Sequence, residues 1–330
     1  MMIAYRRLLA FAAVLAFGVV ALGAWVRLSD AGLGCPDWPG CYGQWLGVPD
    51  HAADAAKAWK EMVHRYFAGT LGLSIFGLCL FAWRQRPRLS PVLPTTLAGI
   101  VVCQALLGMW TVTLLLKPVI VSAHLLGGMT TLALLVWLNL KERKTETPPA
   151  TAGLRAAGLV ALAAVALQIA LGGWVSSNYA ALACPDFPAC RGEWLPAMDF
   201  GHAFTFRREL GQTAAGALLP AEALTAIHWS HRLGAALVTL AVGGWGLALA
   251  RRPGWGAWGG LLLGLLSLQI GLGIANVLLS LPLPVAVAHN AVAALLLSVM
   301  VAANCRLWFP RMAPLVEPAR QADVRRERRG

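Results

Sequence analysis

The sequence predicts an all-α polytopic membrane protein whose eight transmembrane helices form two four-helix bundles related by a pseudo-twofold axis. Three observations support this prediction. Only 13% of the 330 residues are charged, whereas soluble domains carry about 25%. Eight apolar stretches are each long enough to cross the hydrocarbon core of a bilayer. Finally, the two halves of the chain repeat the same local patterns in the same order.

We place the eight spans at 8–26, 61–83, 92–115, 118–140, 154–175, 225–250, 256–279 and 284–308. The first span resembles a cleaved signal peptide, because it follows two arginines and ends in small residues. However, Gly23-Ala24-Trp25-Val26 at its end recurs as Gly172-Gly173-Trp174-Val175 in the middle of the chain. The first span therefore belongs to a repeated structural unit.

The basic residues predict the orientation of these spans. Clusters of Arg and Lys occur at 6–7, 84–88, 141–155, 251–252 and 306–329. All of them fall on one side of the eight spans, and that side is expected to be the cytoplasm. Both termini are then cytoplasmic, and the loops at about 27–60 and 176–224 face outward. This topology requires basic residues in the cytoplasmic loops, and the basic tail is expected to lie near membrane lipid. These two requirements explain the net charge of +12, so we expect no nucleic-acid partner.

A Cys-x5-Cys motif occurs in each of the two long outer loops. The motifs are Cys35 with Cys41 and Cys184 with Cys190, at an offset of 184 − 35 = 149 residues. Neither motif has a histidine nearby, and the outward side is oxidising, so two local disulfides are favoured over zinc sites. A redox role for these cysteines remains an alternative.

Four histidines lie in apolar spans and form two equivalent pairs, His64 with His124 and His231 with His289. Ionisable side chains are costly inside a membrane and usually mark a function, although a single histidine often only bonds a neighbouring helix. Within each pair the two imidazoles lie at matching depths on alternate helices. This arrangement allows a four-helix bundle to bind a haem iron from both faces. Zinc or copper would need further protein ligands, which the sequence contexts do not supply.

Each first histidine is followed by an arginine, Arg65 or Arg232, which is a candidate contact for haem propionates. Snorkelling of these arginines to the interface is the alternative. Three residues before the first histidine the halves differ, with Glu61 in one and His228 in the other. A carboxylate there can accept or deliver a proton, or simply suit the positive end of the helix dipole. We interpret His228 as a polar interface residue rather than an alternate ligand.

Jointly, these residues resemble the heme A synthase family, membrane enzymes that oxidise a methyl group of haem O to the formyl group of haem A. The resemblance covers essentially all eight spans. It rests on Glu61-x-x-His64-Arg65, His124, His231-Arg232, His289 and the paired outer-loop cysteines.

The resemblance implies that His231 and His289 ligate haem b as a cofactor, while His64 and His124 hold the substrate haem. It implies that Glu61 is the catalytic carboxylate for two successive hydroxylations of one methyl carbon. The product would serve a terminal cytochrome oxidase, and the partners would include haem O synthase and an electron-transfer protein. The membrane would be the bacterial cytoplasmic (inner) membrane. The Cys35–Cys41 and Cys184–Cys190 pairs look like the family's loop disulfides.

The predicted domains are an N-terminal unit at 1–144 with the substrate haem site, a linker at 145–155, a C-terminal unit at 156–310 with the cofactor haem site, and a basic cytoplasmic tail at 311–330.

The main alternative function is a diheme b-type membrane electron-transfer protein. It is disfavoured because all four histidines are predicted near one face of the membrane. A transporter is also disfavoured, because it would place its site near the midplane on broken helices, and the four histidines are not predicted there. The sequence does not predict the electron acceptor, the source of the inserted oxygen or the oligomeric state.

Overall fold

The computed structural model describes residues 2–50, 52–141 and 150–309. Within these ranges the chain forms nine α-helices and no β-strand. They are α1 (Met2–Leu28), α2 (Ala55–Arg84), α3 (Val92–Thr113), α4 (Pro118–Lys141), α5 (Ala152–Ser177), α6 (Phe200–Ala203), α7 (Ala221–Ala250), α8 (Gly256–Leu278) and α9 (Leu283–Trp308). All except α6 are long and apolar enough to cross a membrane. The prediction of eight spans is confirmed.

Several helices extend beyond the predicted spans, because hydropathy marks the hydrocarbon core rather than the ends of helices. The helix α2 begins six residues earlier than predicted (61 − 55 = 6), where the Asp54 side chain accepts a hydrogen bond from the Lys57 amide at 3.0 Å. Such a side chain satisfies one of the free amides at a helix start. The short helix α6 was not predicted. It begins after Asp199, which accepts a bond from the His202 amide in the same way.

The eight long helices pack as two closed groups of four. In the first group α1, α2, α3 and α4 each contact the next, and α4 returns to α1. In the second group α5, α7, α8 and α9 do the same. The groups meet through α1 and α4 on one side and α5 and α9 on the other. This packing fits the predicted pair of four-helix units.

The helix α1 presents a continuous buried stripe to the centre of the molecule. Its buried residues Leu9, Ala12, Ala16 and Val20 recur at helical spacing, so they share one face of the helix. The Asn139 side chain of α4 donates a hydrogen bond to the Leu9 carbonyl at 3.0 Å. Small side chains and interhelical hydrogen bonds are typical of helix association in membranes, where the hydrophobic effect does not favour helix contact.

Gly158 brings α5 close to two other helices. A Cβ at this position would lie 2.6 Å from Oδ1 of Asn304 on α9 and 2.8 Å from the Trp245 ring on α7. The Asn304 side chain donates to the Gly158 carbonyl at 3.1 Å, and the Trp245 indole donates to the Leu154 carbonyl at 3.1 Å. A larger residue at 158 would displace both contacts.

The two units are also joined at the end that carries the disulfide loops, which we call the disulfide end. The Arg27 guanidinium donates to the Ser176 carbonyl at 2.6 Å and lies 3.9 Å from the centre of the Tyr179 ring. The Tyr179 hydroxyl donates to Asp30 at 3.0 Å. These contacts hold the loop ends of α1 and α5 together.

The predicted tail at 311–330 and residues 145–149 of the predicted linker lie outside the described residues.

Candidate functional site

Each predicted histidine of the first unit packs its imidazole against a glycine of a neighbouring helix. His64 on α2 faces Gly23 on α1, and His124 on α4 faces Gly108 on α3. A Cβ at Gly23 would lie 3.1 Å from Cε1 of His64, and a Cβ at Gly108 would lie 3.2 Å from Cε1 of His124. Both distances are shorter than ordinary van der Waals contact. The rings therefore use space that any side chain at these glycines would fill.

The second unit repeats these contacts. His231 on α7 faces Gly172 on α5, and His289 on α9 faces Gly273 on α8. A Cβ would lie 3.0 Å from Cε1 of His231 at the first glycine and 3.1 Å from Cε1 of His289 at the second. The four glycine–histidine contacts thus occur at equivalent helices in the two units.

The structure brings the histidines together in the predicted pairs. His64 and His124 are close enough to interact electrostatically, and so are His231 and His289. All four side chains are partly accessible rather than fully buried. Each unit therefore has two partly accessible imidazoles that lie near each other.

The donors at these sites suit a haem better than a bare metal ion. No group of three or more His, Cys, Asp and Glu in the described ranges is placed to hold a metal ion. Two imidazoles leave a zinc ion short of its four ligands. They suffice for an iron whose equatorial ligands come from a porphyrin. The Nδ1 atoms of His64, His124 and His289 are buried without a hydrogen-bond partner, which is consistent with imidazole rings that bind a ligand.

Glu61 is buried, with 4% of its surface exposed, and it ties α2 to the first disulfide loop. Its Oε2 accepts a hydrogen bond from the Cys35 amide at 3.0 Å, and its Oε1 accepts one from Arg65 at 2.5 Å. Arg65 also donates to the carbonyl of Asp37 at 3.0 Å and to that of Gly40. The Glu61 carboxylate, the Arg65 guanidinium and the first disulfide loop therefore form one network. Glu61 lies three residues before His64 in the sequence.

His228 makes the equivalent contacts in the second unit. Its Nδ1 lies 3.3 Å from the Cys184 amide nitrogen, its Nε2 lies 3.3 Å from Nε of Arg232, and the neutral ring can accept a hydrogen bond at one of these two nitrogens. Arg232 also donates to the carbonyls of Asp186 and Ala189, each at 2.7 Å. The position three residues before the histidine thus holds the loop in both units, and the difference is a carboxylate in one and an imidazole in the other.

The described contacts of Arg65 and Arg232 are to the loops and to Glu61 and His228 on their own helices, and their predicted contact with haem propionates stays a prediction.

The two loops share one conformation. Both predicted cysteine pairs are disulfide-bonded: Cys35–Cys41 and Cys184–Cys190. Within the second loop the Asp186 carboxylate accepts bonds from the amides of Gly192 at 2.8 Å and Arg191 at 2.6 Å. The Gly192 amide, above all, holds the pKa of Asp186 below its ordinary value. Asp37 accepts the matching bonds in the first loop.

Two glutamines that contact the second pair of histidines were not predicted as site residues. Gln168 Nε2 lies 3.1 Å from Nδ1 of His231, and Gln269 Nε2 lies 3.2 Å from Nε2 of His289. Gln269 belongs to the repeat, which could have indicated it. Gln168 has no glutamine counterpart, because the offset of 149 places Val19 at its position (168 − 149 = 19).

A comparison with known families finds a match over most of the chain. Residues 6–301 match the COX15-CtaA family, whose description is "Cytochrome oxidase assembly protein". The chain belongs to this family.

Curated relatives match along nearly the whole chain. The heme A synthase of Shewanella oneidensis is 42% identical over 312 residues, which cover 88% of this chain and 92% of the relative. The heme A synthase of Methylobacterium radiotolerans is 31% identical over 354 residues, covering 96% and 92%. The heme A synthase of Rhizorhabdus wittichii is 28% identical over 343 residues, covering 91% and 93%. This COX15-CtaA member is therefore similar to heme A synthases over both of its four-helix units.

Proposed function

We propose that this protein is a heme A synthase, an oxidoreductase that converts a methyl group of haem O into the formyl group of haem A for the assembly of cytochrome oxidase. The observation that carries the proposal is the pair of alike but unequal histidine sites. Both sites have two imidazoles packed on glycines, but only the first has a carboxylate, Glu61, three residues away. The whole-length similarity to heme A synthases supports the same conclusion.

The first unit, at 1–144, is the substrate site in this proposal. His64 and His124 hold the iron of haem O, and the Gly23 and Gly108 contacts fix the planes of both rings. Glu61 is the acid–base group of the reaction, since a carboxylate can move protons as the methyl carbon is oxidised. Its bonds to Arg65 and to the Cys35 amide hold it in place and link it to the disulfide loop.

The second unit, at 156–310, is the cofactor site. His231 and His289 hold haem b, which supplies one-electron chemistry when it is bound. His228 is not assigned a reaction step, because its two ring nitrogens face the Cys184 amide of the second loop and the Arg232 guanidinium. The second unit therefore differs from the first by holding its haem rather than oxidising it.

The protein is placed in the bacterial cytoplasmic membrane with both termini in the cytoplasm, because the basic residues lie on the side opposite the disulfide loops. The disulfide end then faces outward, where disulfides are maintained. The proposed partners are haem O synthase as the supplier of substrate and an electron-transfer protein.

The rival function is diheme electron transfer across the membrane. It is disfavoured because both histidine pairs lie towards the same end of the molecule. In each unit the residue three positions before the first histidine bonds a loop of the disulfide end, through Cys35 or Cys184. Haems placed side by side at one end do not form a path through the bilayer.

The test is to express the full chain in a host that lacks its own heme A synthase, with and without a co-expressed haem O synthase. Haems are extracted from the purified protein and from the membranes and identified by chromatography and mass. The proposal expects haem b under both conditions and haem A only when haem O is supplied. Haem b alone under both conditions, with haem O present but unconverted, would refute the synthase and favour the electron carrier.

A further inference from the structure

Gln168 makes the second histidine pair different from the first. It lies on α5 one turn before Gly172, so its amide reaches the same imidazole that packs on that glycine. Its Nε2 lies 3.1 Å from Nδ1 and 3.4 Å from Nε2 of His231, and it also donates to the His231 carbonyl at 3.0 Å. Its amide oxygen lies against Gly234, where a Cβ would overlap it. Gln168 thus contacts the ligand residue through both its ring and its backbone.

Among the described residues of the first unit, no side chain makes the equivalent contact with Nδ1 of His64. Val19 occupies the position that matches Gln168, and an apolar side chain cannot bond an imidazole. The Nδ1 of His64 is buried without a partner. The first unit does contain a partly buried glutamine, Gln104, which lies against Gly127 and bonds His124; it matches Gln269 of the second unit rather than Gln168.

We propose that Gln168 is the positioning residue that makes the His231–His289 pair retain its haem. The His64–His124 pair, which has Val19 at the matching position, exchanges its haem. This inference rests on the proposed function only in assigning the retained haem to the second unit. Its substance is a difference in ligand positioning between two otherwise matching sites.

The chemistry of a ligated imidazole supports this role. A histidine that binds iron through one ring nitrogen carries its proton on the other, and an acceptor for that proton orients the ring and raises its basicity. The Oε1 of Gln168 is buried without a hydrogen-bond partner. Half a turn of the terminal amide presents this oxygen to Nδ1 of His231 and gives up the bond that Nε2 donates to the His231 carbonyl. The same side chain can therefore donate to the ring before haem binds and accept from it afterwards.

The test uses Gln168→Val, which places the side chain of the matching position in the second unit. It is made in the full chain carrying His124→Ala, so that the bound haem is held by the second pair. Two properties are measured: the rate of haem transfer to apomyoglobin, and the g values of the low-spin ferric haem by electron paramagnetic resonance. The g values report ring orientation and basicity, which a purely structural role would leave unchanged.

The matched control is Gln104→Val, which removes a partly buried glutamine from the first unit without touching the second pair. We expect Gln168→Val to release haem about 10- to 100-fold faster, the range found when an outer-shell partner of a metal ligand is removed, with shifted g values. Gln168→Glu keeps an acceptor and is expected to recover most of the retention. The control is expected to match the parent. Release and g values in Gln168→Val that equal those of the parent would overturn the proposal.

A reciprocal variant keeps the proposal testable if Gln168→Val fails to accumulate. Val19→Gln, made with His289→Ala so that haem is held by the first pair, is expected to slow haem exchange at that pair. Unchanged exchange would overturn the proposal. Failure of the Gln168 proposal can be told apart from failure of the proposed function. A parent protein that binds haem b but forms no haem A refutes the synthase. The release rates then still decide the role of Gln168.

Discussion

Replacing Gly172 with alanine tests whether the glycine–histidine contacts set the position of a haem ligand. The added Cβ would lie 3.0 Å from Cε1 of His231, whereas ordinary contacts begin at 3.4 Å. The ring must therefore retreat by at least 3.4 − 3.0 = 0.4 Å. A displacement of that size reaches the tolerance of about 0.5 Å within which functional side chains must be held. We expect haem b affinity to fall about 10-fold, as for other changes that disturb the orientation of a metal ligand.

The control is Gly244→Ala on α7, because no atom lies within 4 Å of the Cβ added there. Both substitutions replace glycine by alanine within a helix, which favours the helix by about 0.5–1 kcal/mol. The two proteins should therefore be equally folded, and only Gly172→Ala should lose haem. The assay is the ratio of haem to protein after purification, together with thermal unfolding in detergent. Equal haem content in both variants and in the parent would refute the reasoning.

Three further predictions follow from the loops and the interface. Glu61→Gln is expected to keep haem bound while haem O or its hydroxylated intermediate accumulates, and normal haem A output would remove Glu61 from the mechanism. Asp186→Asn is expected to weaken the second loop, because the pKa of Asp186 is lowered in the folded protein. The stabilising effect of the Asp186 carboxylate is present above its pKa in the unfolded chain and is lost as the pH falls through its pKa in the folded protein. Parent and variant should therefore converge in unfolding profiles measured at acid pH. Lys117→Ala removes a bridge of 2.6 Å to the exposed Glu209 and should change the free energy of unfolding by less than about 1 kcal/mol; a larger loss in thermal unfolding would show that the bridge helps to hold the units together.

The spans were predictable because the bilayer requires long apolar helices, and the repeat fixed their grouping. The ends of the helices were less predictable, because local side chains set them. The helix α2 extends back to Ala55 through the Asp54 cap, although the apolar stretch begins at Glu61. Similarly, α6 is too short and too polar in context to produce a hydropathy signal.

The candidate site was predictable where it repeats. The histidine pairs and the disulfide pairs were identified from their recurrence in both halves. Gly23 and Gly172 were part of a recognised repeat, but the contact of each with an imidazole depends on how neighbouring helices are rotated, which a single sequence does not specify. Gln168 was missed because it does not recur.

The networks around the arginines could not be derived from the sequence. Arg65 and Arg232 bond the carbonyls of the disulfide loops, and the direction of a loop carbonyl follows from its turn conformation. The equivalence of Glu61 and His228 emerges only from those contacts, since the two side chains differ in charge and size. Their shared contact with a cysteine amide shows that a carboxylate and an imidazole occupy equivalent places in the two units.

The central claim is that two similar histidine pairs hold different haems. The most direct measurement is the identity of the haems extracted from His124→Ala and His289→Ala proteins, each produced with a haem O supply. The account predicts that His124→Ala retains haem b but neither haem O nor haem A, and that His289→Ala loses haem b. Loss of haem b from His124→Ala with its retention in His289→Ala would contradict the assignment of cofactor and substrate to the two units.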